Sequence, residues 1–220
     1  MSTYETRASQ TARIIVGSKS VYTRSGGEAF FFSSGWASPV FIDGKKLISA
    51  PADRGLLVDM AIDCITENVD LGSLDAIAGC ELTGVPFATL IADRLNKPLV
   101  LVCKQSKGFG RLAQFEGSFE PGARVLLVDD LATDGVSEQT FRAALQRAEA
   151  EVSGTFVLID FSVFPTDHHY LSLAKLNDIV DMAEAKEYLG GREIDEIRKF
   201  AGDAPTWSRH HGGIGGLRKT

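Results

Sequence analysis

Val125-Leu-Leu-Val-Asp-Asp-Leu-Ala-Thr-Asp-Gly-Val-Ser137 is the stretch on which the fold turns. An apolar run of strand length ends in two adjacent carboxylates, crosses a loop of small residues and reaches a helix start. Asp129 and Asp130 can accept hydrogen bonds from the vicinal hydroxyls of a sugar. The turn Thr133–Ser137 offers backbone N–H groups and hydroxyls at a helix N-terminus, where an anion is favoured. A sugar carrying a phosphate fits both halves at once. The bland alternative is a strand end with two solvated carboxylates and an ordinary N-cap serine.

Outward from this string, strand-like and helix-like segments alternate. Pro39–Asp43 reads as a strand entering the core. Ser49 and Pro51 supply an N-cap and an early-turn proline. Behind them Leu56, Leu57, Met60, Ala61, Cys64 and Ile65 fall on one helical face. Asp75–Gly79 is a short strand, and the next helix turns Val85, Ala88, Ile91, Ala92 and Leu95 inward. Pro98–Val102 and Arg124–Val128 are further strands, Ser137–Ala150 a helix and Val152–Phe161 a long apolar strand. Asn177–Leu189 and Arg192–Ala201 read as two amphipathic helices. Such alternation predicts an α/β fold, a mostly parallel sheet flanked by helices with right-handed connections. Ligands in such sheets bind outside the carboxyl ends of strands. That directs attention to Gly79–Gly84, Cys103–Gly117 and Asp129–Ser137. No linker marks a second domain, so a single domain is expected over 1–209. Its core spans about 50–162, with a small hood from 1–49 and 163–209, and the Gly-rich, basic stretch 210–220 is expected to be a flexible tail.

A chain of 220 residues, 44% hydrophobic and 24% charged, can bury one α/β core with accessory structure. The formal net charge of −6 argues against sequence-independent binding to nucleic acid. It leaves room for a small anionic ligand held by a local cluster of cations. Cys64, Cys80 and Cys103 form an odd set without a C-x-x-C pair, which speaks against a disulfide framework or a zinc site. The tandem histidines at 210–211 have no carboxylate or cysteine partner and are read as a solvated tail and not a metal site, and the pair at 168–169 is read the same way. The polar opening, Met1–Arg13, is not a signal peptide, and the apolar runs are too short to span a membrane. The expectation is a cytoplasmic protein with no membrane or nucleic-acid partner.

The string at 125–137 resembles the phosphoribosyl pyrophosphate (PRPP) motif of type I phosphoribosyltransferases, an acidic pair followed by T-x-G-x-[ST]. The P-loop signature G-x-x-x-x-G-K-[ST] is absent. Purine-type members usually carry Asp where this chain has Thr133. Ser34-Gly-Trp-Ala-Ser-Pro-Val-Phe-Ile-Asp43 is similar to the S-G-x-x-S-P-[VI]-[YF] stretch of orotate phosphoribosyltransferases. Ala78-Gly-Cys-Glu-Leu-Thr-Gly-Val-Pro86 resembles that family's pyrophosphate loop. Lys104-Gln-Ser-Lys-Gly-Phe-Gly-Arg111, followed by Glu116-Gly117, resembles its mobile catalytic loop. Lys45-Lys46-Leu47 and Ala204-Pro-Thr-Trp-Ser208 bring the chain nearest to the α-proteobacterial branch.

The resemblance implies the type I phosphoribosyltransferase fold and the conversion of orotate and PRPP to orotidine 5'-monophosphate and pyrophosphate. It implies catalytic roles for Lys107, Asp129 and Asp130. PRPP would be held by Lys104, Lys107 and Arg111, and by Asp129 and Asp130 with Leu131, Ala132, Thr133, Asp134, Gly135, Val136 and Ser137. Glu81, Leu82, Thr83 and Gly84 would form the pyrophosphate loop. Phe41, Ile42, Thr133 and Phe161 would face the base. Mg²⁺ would be carried by PRPP and not by side chains, and a homodimer is implied because such loops often serve the neighbouring subunit's site.

The chain also departs from the family pattern. Cys103 stands where an Arg usually precedes the first loop Lys, Phe109 where a His is usual, and Ser33 where a Lys commonly stands. A charge-assisted hydrogen bond lost to an anion costs roughly 1.5–3 kcal/mol. Phe161 occupies the position where many members bind the orotate carboxylate with Arg, although the resembled branch also dispenses with it. Asp134 replaces a small residue. A carboxylate ~6 Å from one phosphate charge is repelled by roughly 3 kcal/mol at an effective dielectric of ~20. Asp134 therefore either points outward or weakens phosphate binding. Two other functions stay open beside orotate transfer: a divergent paralogue that binds PRPP or another phosphorylated ligand without catalysis, and a transferase for a different base.

Overall fold

The computed structural model describes residues 5–24, 26–105, 114–165 and 169–216. At its centre is a six-stranded sheet in the order β10-β9-β8-β5-β6-β7. The strands are β5 (Ala76–Cys80), β6 (Leu99–Val102), β7 (Phe115–Glu116), β8 (Arg124–Ala132), β9 (Glu151–Asp160) and β10 (Leu171–Lys175). Neighbours run parallel except for β7, an antiparallel edge on β6.

The alternation of side chains along β8 explains its apolar run. Val125 and Leu127 face Phe141, Ala144 and Leu145 of α5 (Val136–Arg147), together with Ala76 and Ala78 of β5. Leu126 and Val128 face the opposite layer, built from Leu57 and Ala61 of α3 (Pro51–Asn68) and Phe87 and Ile91 of α4 (Gly84–Leu95). A strand covered on both faces carries apolar residues at successive positions. Each Leu or Phe so buried contributes about 1.5–3 kcal/mol. On α3 the inward stripe is Leu57, Met60, Ala61, Cys64 and Ile65, whereas Leu56, expected inward, is exposed because Leu57 and Val58 take the sheet-facing positions.

The central strand is longer than its apolar run. Asp129 pairs with Val157, Leu131 with Ile159 and Ala132 with Asp160, so β8 continues through the acidic pair. The long β9 supplies backbone partners past the point where β8 stops being apolar.

The hood contains elements with little local signal. These are α1 (Arg7–Gly17), β1 (Val21–Thr23), β2 (Phe30–Phe31), β3 (Ala37–Ser38), β4 (Val40–Ile42) and α2 (Lys45–Ile48). The segment Pro39–Asp43 is a strand, but β4 pairs antiparallel with β1 in a separate ribbon and does not enter the main sheet. From the other end of the chain come α6 (Leu176–Ala185), α7 (Gly191–Gly202) and α8 (Ala204–His210). Aromatic rings tie the two ends together. Trp36 meets Phe164 at 4.9 Å, Phe164 meets Phe200 at 5.7 Å and Phe200 meets Trp207 at 5.5 Å. Tilted and edge-on pairs of this kind add about 0.5–1.5 kcal/mol each beyond area burial.

The first residues of the expected flexible tail are docked. Gly213 N–H donates to the Ser208 carbonyl at 2.8 Å, and Ile214 N–H to the Gly35 carbonyl at 3.0 Å. A Cβ at position 213 would stand 2.5 Å from Ala37 N, so the glycine lets two backbones meet. The His211 ring stacks on Trp207 at 3.6 Å. Residues 217–220 lie outside the described residues. Among the described residues no helix is long and apolar enough to cross a membrane.

Candidate functional site

At the carboxyl ends of β5, β6 and β8 lies a cavity of about 370 Å³, within the size range of small-molecule sites. All three segments singled out by the sheet rule contribute to it. Cys80 ends β5 and Glu81–Thr83 follow it, Lys104 follows β6, and the end of β8 with its loop supplies Asp129 through Gly135 and Ser137. The hood closes the other side with Phe41–Lys45.

The acidic pair is partly buried and self-organised. Asp130 N–H donates to Asp129 Oδ1 at 2.9 Å. Burial, and then the neighbouring charge of Asp130, raises the Asp129 carboxyl well above the usual carboxylate range. Burial also raises Asp130, and the hood's Asp43 adds to the effect. The Lys104 ammonium works in the opposite direction on Asp129. Two carboxylates thus face the cavity with a raised affinity for protons, hydroxyl donors or positive charge.

Two loops are tied to each other at the cavity's edge. Glu81 N–H donates to the Val102 carbonyl at 2.9 Å, and Glu81 Oε2 accepts from Lys104 N–H at 2.8 Å. The Glu81–Leu82 peptide bond is cis. Thr83 is buried at the start of α4, while Leu82 is 73% exposed. Gly84 does not line the cavity; it sits behind, against β8.

Thr133, Gly135 and Ser137 line the cavity where α5 begins, while Val136 turns its side chain away and is exposed. Asp134 faces inward: it is 4% exposed, and its Oδ1 accepts the Val136 N–H at 3.2 Å. Its Oδ2 is buried and has no hydrogen-bond partner among the described residues. The outward orientation considered from sequence is therefore not adopted.

Other expected site residues divide as follows. Phe41 and Ile42 line the cavity, as does Thr133. Phe161 does not; it is 1% exposed and packs edge-on against Phe32 at 6.2 Å in the hood core. Lys107, Phe109 and Arg111 lie outside the described residues. Cys103 sits at the exit of β6, where its N–H donates to the Gln114 carbonyl at 2.7 Å.

Glu138, Thr155 and Tyr170 line the cavity without having been anticipated. Glu138 Oε1 accepts from Thr155 Oγ1 at 2.8 Å and from Arg142 Nη2 at 2.8 Å. The i,i+4 spacing of Glu138 and Arg142 was a visible cue. Thr155 and Tyr170 had none, because they arrive from β9 and from the approach to β10.

The phosphoribosyl transferase domain model matches residues 57–182. The chain is 37% identical over 201 residues to an orotate phosphoribosyltransferase of Allorhizobium ampelinum, a match covering 86% of each chain. An orotate phosphoribosyltransferase structure from Aeropyrum pernix superposes with a TM-score of 0.66 at 29% identity, over 81% of this chain and 99% of that one. A UMP synthase structure from Leishmania donovani has the same fold, with a TM-score of 0.73 at 24% identity. The match covers 88% of this chain but 42% of that longer one.

Proposed function

The chain belongs to the orotate phosphoribosyltransferase family, and from that premise we propose that the cavity at the ends of β5, β6 and β8 is where orotate and PRPP react. The chemistry of the family is pentosyl transfer. Orotate displaces pyrophosphate from the anomeric carbon of PRPP, giving orotidine 5'-monophosphate for pyrimidine nucleotide synthesis.

One observation carries the assignment of the site: the acidic pair and the start of α5 open into the same cavity. Asp129 and Asp130 hold the ribose hydroxyls and stabilise positive charge that develops on the sugar. Thr133, Gly135 and Ser137 surround the 5-phosphate at the helix N-terminus. The cis-linked loop at Glu81–Thr83, with Lys104 beside it, receives the pyrophosphate. Phe41 and Ile42 face the base. Lys107 and Arg111, outside the described residues, would close over the leaving group.

No group of three or more His, Cys, Asp or Glu is placed to hold a metal among the described residues. The raised proton affinity of Asp129 and Asp130 nevertheless fits a positive charge brought in with the substrate. Mg²⁺ carried on PRPP would lower the charge on the departing pyrophosphate. A homodimer belongs to the same reading, because catalytic loops of this family often serve the neighbouring subunit's site. The free cysteines accord with work in a reducing cytoplasm. In this reading the chain is one catalytic domain, with the sheet as core and the chain ends as hood.

The test is loss of orotate absorbance in the presence of PRPP and Mg²⁺. Consumption is expected to need both, and to fall about 100-fold or more in Asp129→Asn. PRPP binding without consumption of any base would replace this reading with a binding protein. Consumption of another base but not orotate would reassign the acceptor.

A further inference from the structure

We propose that Asp134 holds the 5-phosphate of PRPP through a shared proton, so that the substrate enters this cavity with uptake of one proton. The inference rests on the phosphoribosyl reading of the cavity given above. Its starting point is a buried acceptor with nothing donating to it. Asp134 is 4% exposed, it lines the cavity between Thr133 and Gly135, and its Oδ2 has no hydrogen-bond partner among the described residues. An ionised carboxylate only accepts, so a ligand atom that satisfies Oδ2 must bring a hydrogen.

The surroundings leave few other sources for that hydrogen. On α5, Glu138 is a second carboxylate, and the Arg142 guanidinium is bonded to it at 2.8 Å. On β9, Asp160 accepts from Ser162 N–H at 2.8 Å and from Ser162 Oγ at 2.7 Å. On β8, Asp129 and Asp130 are acidic as well. Ahead of β10, burial pushes the Tyr170 hydroxyl well above its ordinary value, and the charges of Glu138, Asp160 and Asp134 add to the effect. Lys104 stands after β6, beside Glu81. The hood brings Asp43 and Lys45 to the same cavity, and the Thr133 hydroxyl lies 3.5 Å from Oδ1 of Asp134, on the oxygen already occupied.

A dianionic phosphate beside this group would add like charge to like charge. A phosphate monoester loses its second proton near pH ~6, and two acids crowded into one site raise the proton affinity of one of them. A single proton between a phosphate oxygen and Oδ2 turns the repulsion into a charged O–H···O hydrogen bond. Val136 N–H is held by Asp134 Oδ1 at 3.2 Å, so the neighbouring N–H groups of Gly135 and Ser137 are the ones assigned to the other phosphate oxygens.

The experiment is calorimetric titration of the full chain with PRPP at fixed Mg²⁺, in two buffers of different ionisation enthalpy, from pH 6 to 9. The wild type is expected to take up close to one proton above pH 7, its Kd rising about tenfold per pH unit. Asp134→Ser and Asp134→Asn are expected to bind PRPP more tightly at high pH, with little proton uptake and a flattened profile. Wild-type binding without proton uptake, or equal uptake in the wild type and both variants, would overturn the proposal and leave the site reading intact. Failure of the wild type to bind PRPP at any pH would instead remove the site reading, and this inference with it. If one variant does not fold, the other decides.

Discussion

Gly84 presses directly on Asp129: a Cβ at position 84 would stand 2.9 Å from Asp129 Oδ1 and 2.5 Å from the Val128 carbonyl oxygen. The start of α4 therefore lies backbone against backbone on β8. This contact sets the loop at 81–83 beside the acidic pair. Gly84→Ala is expected to lose about 1–3 kcal/mol of stability through overpacking. A displacement of ~1 Å at the reacting groups is also expected to cut kcat/KM by about 100-fold. Urea denaturation and steady-state kinetics measure the two effects separately. An alanine variant with unchanged kcat/KM would show that the contact does not position the site.

Asp129 should show the opposite balance of function and stability. Its carboxyl is raised by burial and by Asp130, so the folded chain binds more protons than the unfolded chain between the usual carboxylate range and the raised value. Stability accordingly declines as pH rises through that window, and below about pH 4 this group contributes no pH dependence. Asp129→Asn removes the buried charge. The variant should melt at higher denaturant than the wild type at pH 7.5, the gain should shrink toward pH 4, and catalysis should be lost. A variant less stable than the wild type at pH 7.5 would contradict the direction assigned here.

Cys103 lies at the exit of β6 next to Lys104 and the Glu81 loop. An arginine there would add a cation at the mouth where pyrophosphate is assigned. Cys103→Arg is expected to raise kcat/KM for PRPP by about tenfold, corresponding to ~1.4 kcal/mol of added transition-state binding. Adding Phe109→His should raise it further. Kinetics with PRPP varied at saturating orotate would decide, and a decrease in either variant would mean that the site has adapted around the missing cation.

Gly213 and Ile214 close the hood through hydrogen bonds to Ser208 and Gly35, and Ile214 packs on the main core. Deleting residues 211–220 should lower Tm by about 2–8 °C, equivalent to roughly 1–2 kcal/mol. Deleting 217–220 alone should leave Tm unchanged. Scanning calorimetry of the two truncations makes the comparison, and equal melting temperatures would restore the flexible-tail expectation for the whole segment.

Contiguous sequence by itself determined the alternating α/β order, the buried strand at Val125–Val128 and the acidic pair leading into a helix start. Each of these depends on neighbours a few residues apart, whose periodicity and chemistry are written in one segment. Tertiary structure alone decided that β8 continues to Ala132, because the extension depends on hydrogen bonds to β9. It also turned Phe161 away from the cavity and Asp134 into it, and brought Glu138, Thr155 and Tyr170 beneath the loop. Those outcomes depend on which distant backbone or ring fills the remaining space, and no local pattern of residues carries that information.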